Sequence, residues 1–148
     1  MKKVALPVVF MSILMILTSN GMAGQNTFTL VVLVDGAKAN KGQAVASLFS
    51  SEENYLKAPL VKLFSPIDSA GEARFEFPNL PAGTYAVSVV YDENSDGKLN
   101  TGLFGIPTEL VGVSNNAKGV FGPPSFDKTS FSVPESESIS ISLNPASE

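Results

Sequence analysis

Between Glu72 and Tyr91 apolar residues recur at every second position. Phe75 and Phe77 alternate with Arg74 and Glu76. Beyond Pro78-Asn79-Leu80-Pro81-Ala82-Gly83, the residues Tyr85, Val87, Val89 and Tyr91 share one face, opposite Ala86 and Ser88. Successive side chains of an extended strand point to opposite faces of a sheet, so this pattern specifies strands with one buried face and excludes a helix. The Pro/Gly-rich stretch between the two runs reads as the turn of an antiparallel hairpin.

The rest of the chain repeats the theme. Phe28, Leu30, Val32 and Val34 alternate with Thr29, Val31, Leu33 and Asp35, and with both faces largely apolar this strand is expected to be central. Ala44–Phe49 is a second strand with two open registers: Ala44, Ala46 and Leu48 inward, or Val45 and Phe49 inward. Ser51 to Lys57 breaks the pattern, and its acids suit one helical turn. Leu60–Phe64 and Ser130–Val133 read as short strands. Ile139, Ile141 and Leu143 alternate strictly with serines, as expected of an antiparallel strand between core and solvent. With no sustained helical period after residue 23, about seven short strands imply an all-β fold, a single antiparallel β-sandwich of immunoglobulin-like or transthyretin-like type with one long ordered loop.

The first 23 residues have a different grammar. Lys2 and Lys3 precede an uncharged apolar run from Val4 to Leu17, and Gly21-Met22-Ala23 supplies small residues at a cleavage spacing. This is the pattern of a secretory signal peptide, residues 1–23, followed by one domain, residues 24–148. The run is shorter than the ~20 apolar residues a spanning helix needs. The expectation is therefore an exported protein with no stable membrane insertion once the signal is removed. Loss of Lys2 and Lys3 takes the net charge from −4 to −6. That balance disfavours nucleic acid and anionic membrane surfaces as partners and suits a protein that meets cations. The chain has no Cys and no His, so disulfides do not contribute, and the commonest general base is missing.

Most of the chemistry lies between Tyr91 and Phe126. Asp92, Asn94 and Asp96 stand at alternate positions before Gly97, the first half of a calcium-loop pattern. Hard cations take several oxygen ligands at about 2.3–2.6 Å, which short Asp and Asn side chains on a tight turn can supply. Lys98 would add its backbone carbonyl and Asn100 a side-chain or water-bridged oxygen. The twelfth position, a bidentate Glu in a helix-flanked loop, is Leu103, so Glu109 is expected to complete a weak Ca²⁺ site. The competing reading is a polar turn in which Asp, Asn and Gly supply only backbone geometry.

Residues 102–126 interleave Gly and Pro with apolar side chains, which reads as a long ordered loop. Phe104, Phe121 and Phe126, with Ser114, Asn115 and Asn116, form a candidate surface for a small molecule, a glycan or an envelope protein. In the alternative, the aromatics pin the loop to the sandwich, the asparagines adopt left-handed turns, and the protein is a purely structural envelope domain. Ser114 and Ser125 are potential nucleophiles without a His to activate them, which argues against a serine hydrolase. Paired carboxylates among Asp92, Asp96 and Glu109 are a further, weaker enzymatic reading.

Taken together, Asp92-x-Asn94 through Gly97-Lys98-Leu99, Gly105-Ile106-Pro107, Ser114-Asn115-Asn116 and Phe121-Gly122-Pro123-Pro124-Ser125-Phe126 resemble the hallmark of a bacterial exported family, domain of unknown function 2141. The resemblance extends from Phe28 to about Leu143. It implies a secreted or periplasmic β-sandwich and no established activity. The family's pattern carries a His before the first Asp and an Asp where Asn100 stands. This chain has Tyr91 and Asn100 there, one carboxylate fewer for an ion.

Overall fold

The computed structural model describes residue 24 and residues 26–146; the expected signal peptide lies outside the described residues. Among the described residues nine strands form two sheets. The smaller has the order β4-β1-β8, built from β1 (Thr27–Asp35), β4 (Ala73–Pro81) and β8 (Ser138–Ser142). The larger has the order β3-β2-β5-β6-β9, from β2 (Gln43–Phe49), β3 (Val61–Pro66), β5 (Gly83–Asp92), β6 (Leu110–Val113) and β9 (Asn144–Pro145), while β7 (Phe131–Val133) pairs with the start of β5. Among the described residues no helix is long and apolar enough to cross a membrane.

The all-β sandwich holds, and its core is the alternating set. Leu30, Val32 and Val34 of β1 and Phe75, Phe77 and Leu80 of β4 meet Val87, Val89 and Tyr91 of β5 across the layers. β1 is central in its sheet, as its two apolar faces imply. The open register of β2 resolves with Ala44, Ala46 and Leu48 fully buried. Phe49, on the opposite face, is buried too, because the turn after β2 and the short helix α1 (Phe126–Thr129) cover it with Tyr55 and Phe126. Those rings pack edge to face, with centroids 5.4 Å (Phe49–Tyr55) and 5.8 Å (Tyr55–Phe126) apart.

Three local expectations are corrected. First, β4 and β5 are not a hydrogen-bonded hairpin. β4 pairs with β1 and β5 with β2, so the chain changes sheets at Ala82. Pro78 and Pro81 have no N–H to donate to a ladder. Asn79 takes a left-handed φ of 60° where the β1–β4 register slips, a bulge beyond which only Leu80 and Pro81 still pair with β1. The Tyr85 hydroxyl then donates to Pro81 O at 2.9 Å and locks the corner. Second, β8 runs parallel to β1, with Val32 beside Ile139 and Val34 beside Ile141. Alternation specifies which face is buried and carries no information on strand direction. Third, residues 102–126 are not one loop. β6 lies among them and pairs with β5 from Ser88↔Val113 to Val90↔Val111. Its Gly112 lets it approach β8 closely: a Cβ there would lie 2.5 Å from Ile141 Cγ2 and 2.9 Å from Ser142 O.

Candidate functional site

β5 delivers Asp92 to the end of the large sheet. Tyr91 points inward, and its hydroxyl donates to Lys41 O at 3.0 Å. Asp92, with 1% of its surface exposed, accepts three hydrogen bonds: Gln43 Nε2 to Oδ2 at 2.8 Å, Gly97 N to Oδ2 at 2.9 Å and Asp96 N to Oδ1 at 3.1 Å. Burial pushes its carboxyl up, and these three donors more than reverse that, holding it below the usual carboxylate range. Gln43 is a site residue that the loop motif does not reveal. It reaches Asp92 because the β2–β5 register places Gln43 opposite Asp92. Gly42 beside it, at φ 68°, lets the backbone pass within a Cβ's reach of Asp92 O.

From Asp92 the loop closes on itself through successive turns. Asn94 Oδ1 accepts from Asp96 N at 3.2 Å, and Asn94 Nδ2 donates to Asp96 Oδ2 at 3.0 Å. Asp96 Oδ1 accepts from Lys98 N at 2.8 Å, and Asn100 Nδ2 reaches Asp96 Oδ2 at 3.3 Å. The Lys98 amide, followed by the Asn94 side chain, holds the Asp96 carboxyl below its ordinary range. Glu109, at the entry to β6, returns to the same loop: Oε2 accepts from Asn100 N at 3.1 Å and Oε1 from Asn100 Nδ2 at 3.2 Å. All six residues expected to ligate an ion, Asp92, Asn94, Asp96, Lys98, Asn100 and Glu109, thus belong to one continuous hydrogen-bonded loop. Among the described residues no three acidic side chains converge closely enough to hold a metal by themselves. Any cation here would depend on amide and backbone oxygens as well.

Beside the loop, Glu93 turns outward between Lys38 and Lys41, with Lys38 Nζ 2.8 Å from Oε1. The lysines lower the Glu93 carboxyl, Lys38 most, and Glu93 raises the Lys41 ammonium. Together with Gln43–Asp92 and Tyr91–Lys41, these contacts knit the β1–β2 connection onto the Asp92 loop.

Between Asn100 and Glu109 the chain makes a narrow prong. Thr108 N donates to Asn100 O at 2.9 Å, Thr101 bridges to Pro107, and Gly102 N donates to Ile106 O at 2.8 Å. At the tip, Leu103 and Phe104 are 84% and 97% exposed. Phe104 has φ 62° and Gly105 φ 72°.

The remaining members of the candidate ligand surface are dispersed. Ser114 is fully buried. Its Oγ accepts from Val87 N at 3.0 Å and donates to Thr129 O, tying β5 to α1. Asn115 Nδ2 donates to Lys128 O at 3.1 Å and Ser130 O at 2.9 Å. Asn116 stands where another strand would flank β8: its Nδ2 donates to Ser140 O at 3.4 Å and its Oδ1 accepts from Ser142 N at 2.9 Å. Both asparagines have positive φ, 62° and 46°. Phe126 is buried against Tyr55. Phe104 and Phe121 are left fully open to solvent, on loops that leave opposite ends of β6. The structure therefore does not bring the six expected ligand-surface residues together, and Ser114 and Phe126 are spent inside the domain. The polar Ser-Asn-Asn pattern carries no sign of this, because the groups it satisfies lie on β5, α1 and β8.

No curated protein and no solved structure matches the chain. The family model for uncharacterized proteins conserved in bacteria, DUF2141, matches residues 32–142, from β1 to β8 with the whole Asp92 loop between them, and the chain belongs to that family.

Proposed function

We propose that the protein is an exported β-sandwich binding or accessory module whose Asp92–Asn100 loop, completed by Glu109, takes a calcium ion weakly. The observation that carries this reading is the return of Glu109 to Asn100. It supplies from outside the motif the carboxylate that Leu103 cannot provide. The amide nitrogens of Asn94 and Asn100 both lie against Asp96 Oδ2. Rotating each amide by half a turn would aim Oδ1 inward instead, adding two neutral oxygens to those of Asp96 and Glu109. An affinity on the order of 10⁻⁴–10⁻³ M fits such a site.

The test is thermal melting in chelator, millimolar calcium and matched magnesium. Calcium is expected to raise the midpoint more than magnesium does, because magnesium dehydrates reluctantly and demands near-octahedral geometry. Identical midpoints in all three would reduce the loop to a turn. Export is tested separately by intact mass of the envelope fraction, where cleavage after Ala23 is expected and full-length protein held in the inner membrane counts against it.

A second reading, a purely structural envelope domain, is favoured by one observation. Ser114, Asn115, Asn116 and Phe126 all serve internal contacts. A glycan and metabolite array on the mature domain distinguishes the two, since a structural domain retains nothing.

A further inference from the structure

We infer that the prong between Asn100 and Glu109 is a calcium-gated contact with a phospholipid bilayer; this rests on the calcium reading above. From Leu99 to Thr108 the chain carries no charged residue. Leu99, Leu103, Phe104 and Ile106 are 48%, 84%, 97% and 48% exposed. Phe104 is held in the left-handed backbone region, which a bulky residue enters only against steric resistance, and it gains no intramolecular packing there. Folding alone does not account for an aromatic side chain placed this way.

The shape of the prong selects the occupant. Its apolar side chains offer on the order of 500 Å². A standard protein interface takes about 800 Å² from each partner. The tip is also a convex two-stranded projection and not a groove. A small convex apolar tip on a rigid stem suits insertion among lipid headgroups, where surrounding acyl chains close around it. Charge explains the gate. Asp92, Asp96 and Glu109 lie at the stem, and without a cation they repel anionic headgroups. A bound calcium ion offsets two of those three charges and leaves coordination positions through which lipid phosphate oxygens can bridge to the loop. The ion and the prong share a base, because Asn100 is hydrogen-bonded to Asp96, to Glu109 and, through its carbonyl, to Thr108.

The experiment is vesicle flotation of the mature domain with phosphatidylcholine liposomes containing a minor share of phosphatidylglycerol, in millimolar calcium or in chelator. The wild type is expected to float in calcium and to remain in the dense fraction in chelator. Phe104→Ser is expected to weaken partitioning about tenfold, the effect of withdrawing one large apolar side chain from lipid. Phe64→Ser removes an exposed aromatic from β3, an edge strand separated from β5 by β2, and is expected to float as the wild type does. The chain has no Trp, so Phe104→Trp supplies a single reporter whose emission is expected to shift to the blue on vesicles only when calcium is present. A wild type whose melting midpoint rises with calcium but which never floats overturns the bilayer contact and leaves the ion site standing. A midpoint that does not respond to calcium overturns the ion site, and the gate with it. Equal flotation in chelator, unchanged flotation of Phe104→Ser, or calcium-dependent sedimentation without vesicles each overturns the inference, the last in favour of protein association.

Discussion

Asn100 and Glu109 are joined twice, backbone N–H to Oε2 at 3.1 Å and side-chain amide to Oε1 at 3.2 Å. This pair shuts the Asp92 loop and at the same time forms the foot of the apolar prong. Glu109 is therefore the residue through which an ion would be felt on both sides.

At 100 times its dissociation constant, calcium is expected to stabilise the fold by about 2.7 kcal/mol and to raise the melting midpoint by several degrees. Glu109→Gln and Asp96→Ala should each abolish most of that shift. Asp96 is exposed and its hydrogen bonds stay within the loop, so Asp96→Ala should leave the midpoint in chelator nearly unchanged. Melts of the three proteins in chelator and calcium are the measurement.

Asp92 gives the domain an acid limb. Its folded carboxyl titrates below the unfolded value, so its contribution is fully present above the ordinary Asp range near pH ~4 and is lost as pH falls through the lower, folded value. Stability measured by urea denaturation should fall steeply below pH ~4. Asp92→Asn should flatten that fall. It should also lower stability at neutral pH by about 1–3 kcal/mol, because an amide cannot accept from Gln43 Nε2, Gly97 N and Asp96 N together.

Ser114 is expected to behave as a structural hydroxyl. Ser114→Ala leaves Val87 N and Thr129 O without their partner in the interior and should destabilise the domain by about 1–3 kcal/mol in chemical denaturation. An activated fluorophosphonate should label neither Ser114 nor Ser125. Labelling of either would reopen the serine-hydrolase reading.

Gly112→Ala tests the closeness of β6 to β8. The added methyl meets both Ile141 Cγ2 and the backbone carbonyl of Ser142, and only the side chain can rotate away. A loss of about 1–3 kcal/mol is expected, as for other overpacked interiors. Gly105→Ala, whose Cβ would meet nothing within 4 Å, separates steric from backbone effects: its loss should come from the φ of 72° alone.

The sequence by itself determined the class of fold, the buried faces of β1, β4 and β5, and the position of a polar loop at the end of β5. Alternation of period two is a local property that follows from strand geometry, and so is the Asp-x-Asn-x-Asp-Gly spacing that bends the loop. The tertiary structure alone decided which strands are neighbours. The sheet change at Ala82 and the parallel seat of β8 beside β1 depend on how two layers close over one core, and a strand's own pattern is the same in either direction. The same holds for the site. Asp92, Asn94 and Asp96 are legible as a run, whereas Gln43 enters through the β2–β5 register. Phe104 and Phe126 look equivalent on the chain, yet one stands at an open tip and the other lies beneath Tyr55. Burial is set by what the rest of the chain places on top of a residue, and that is a long-range property no local spacing encodes.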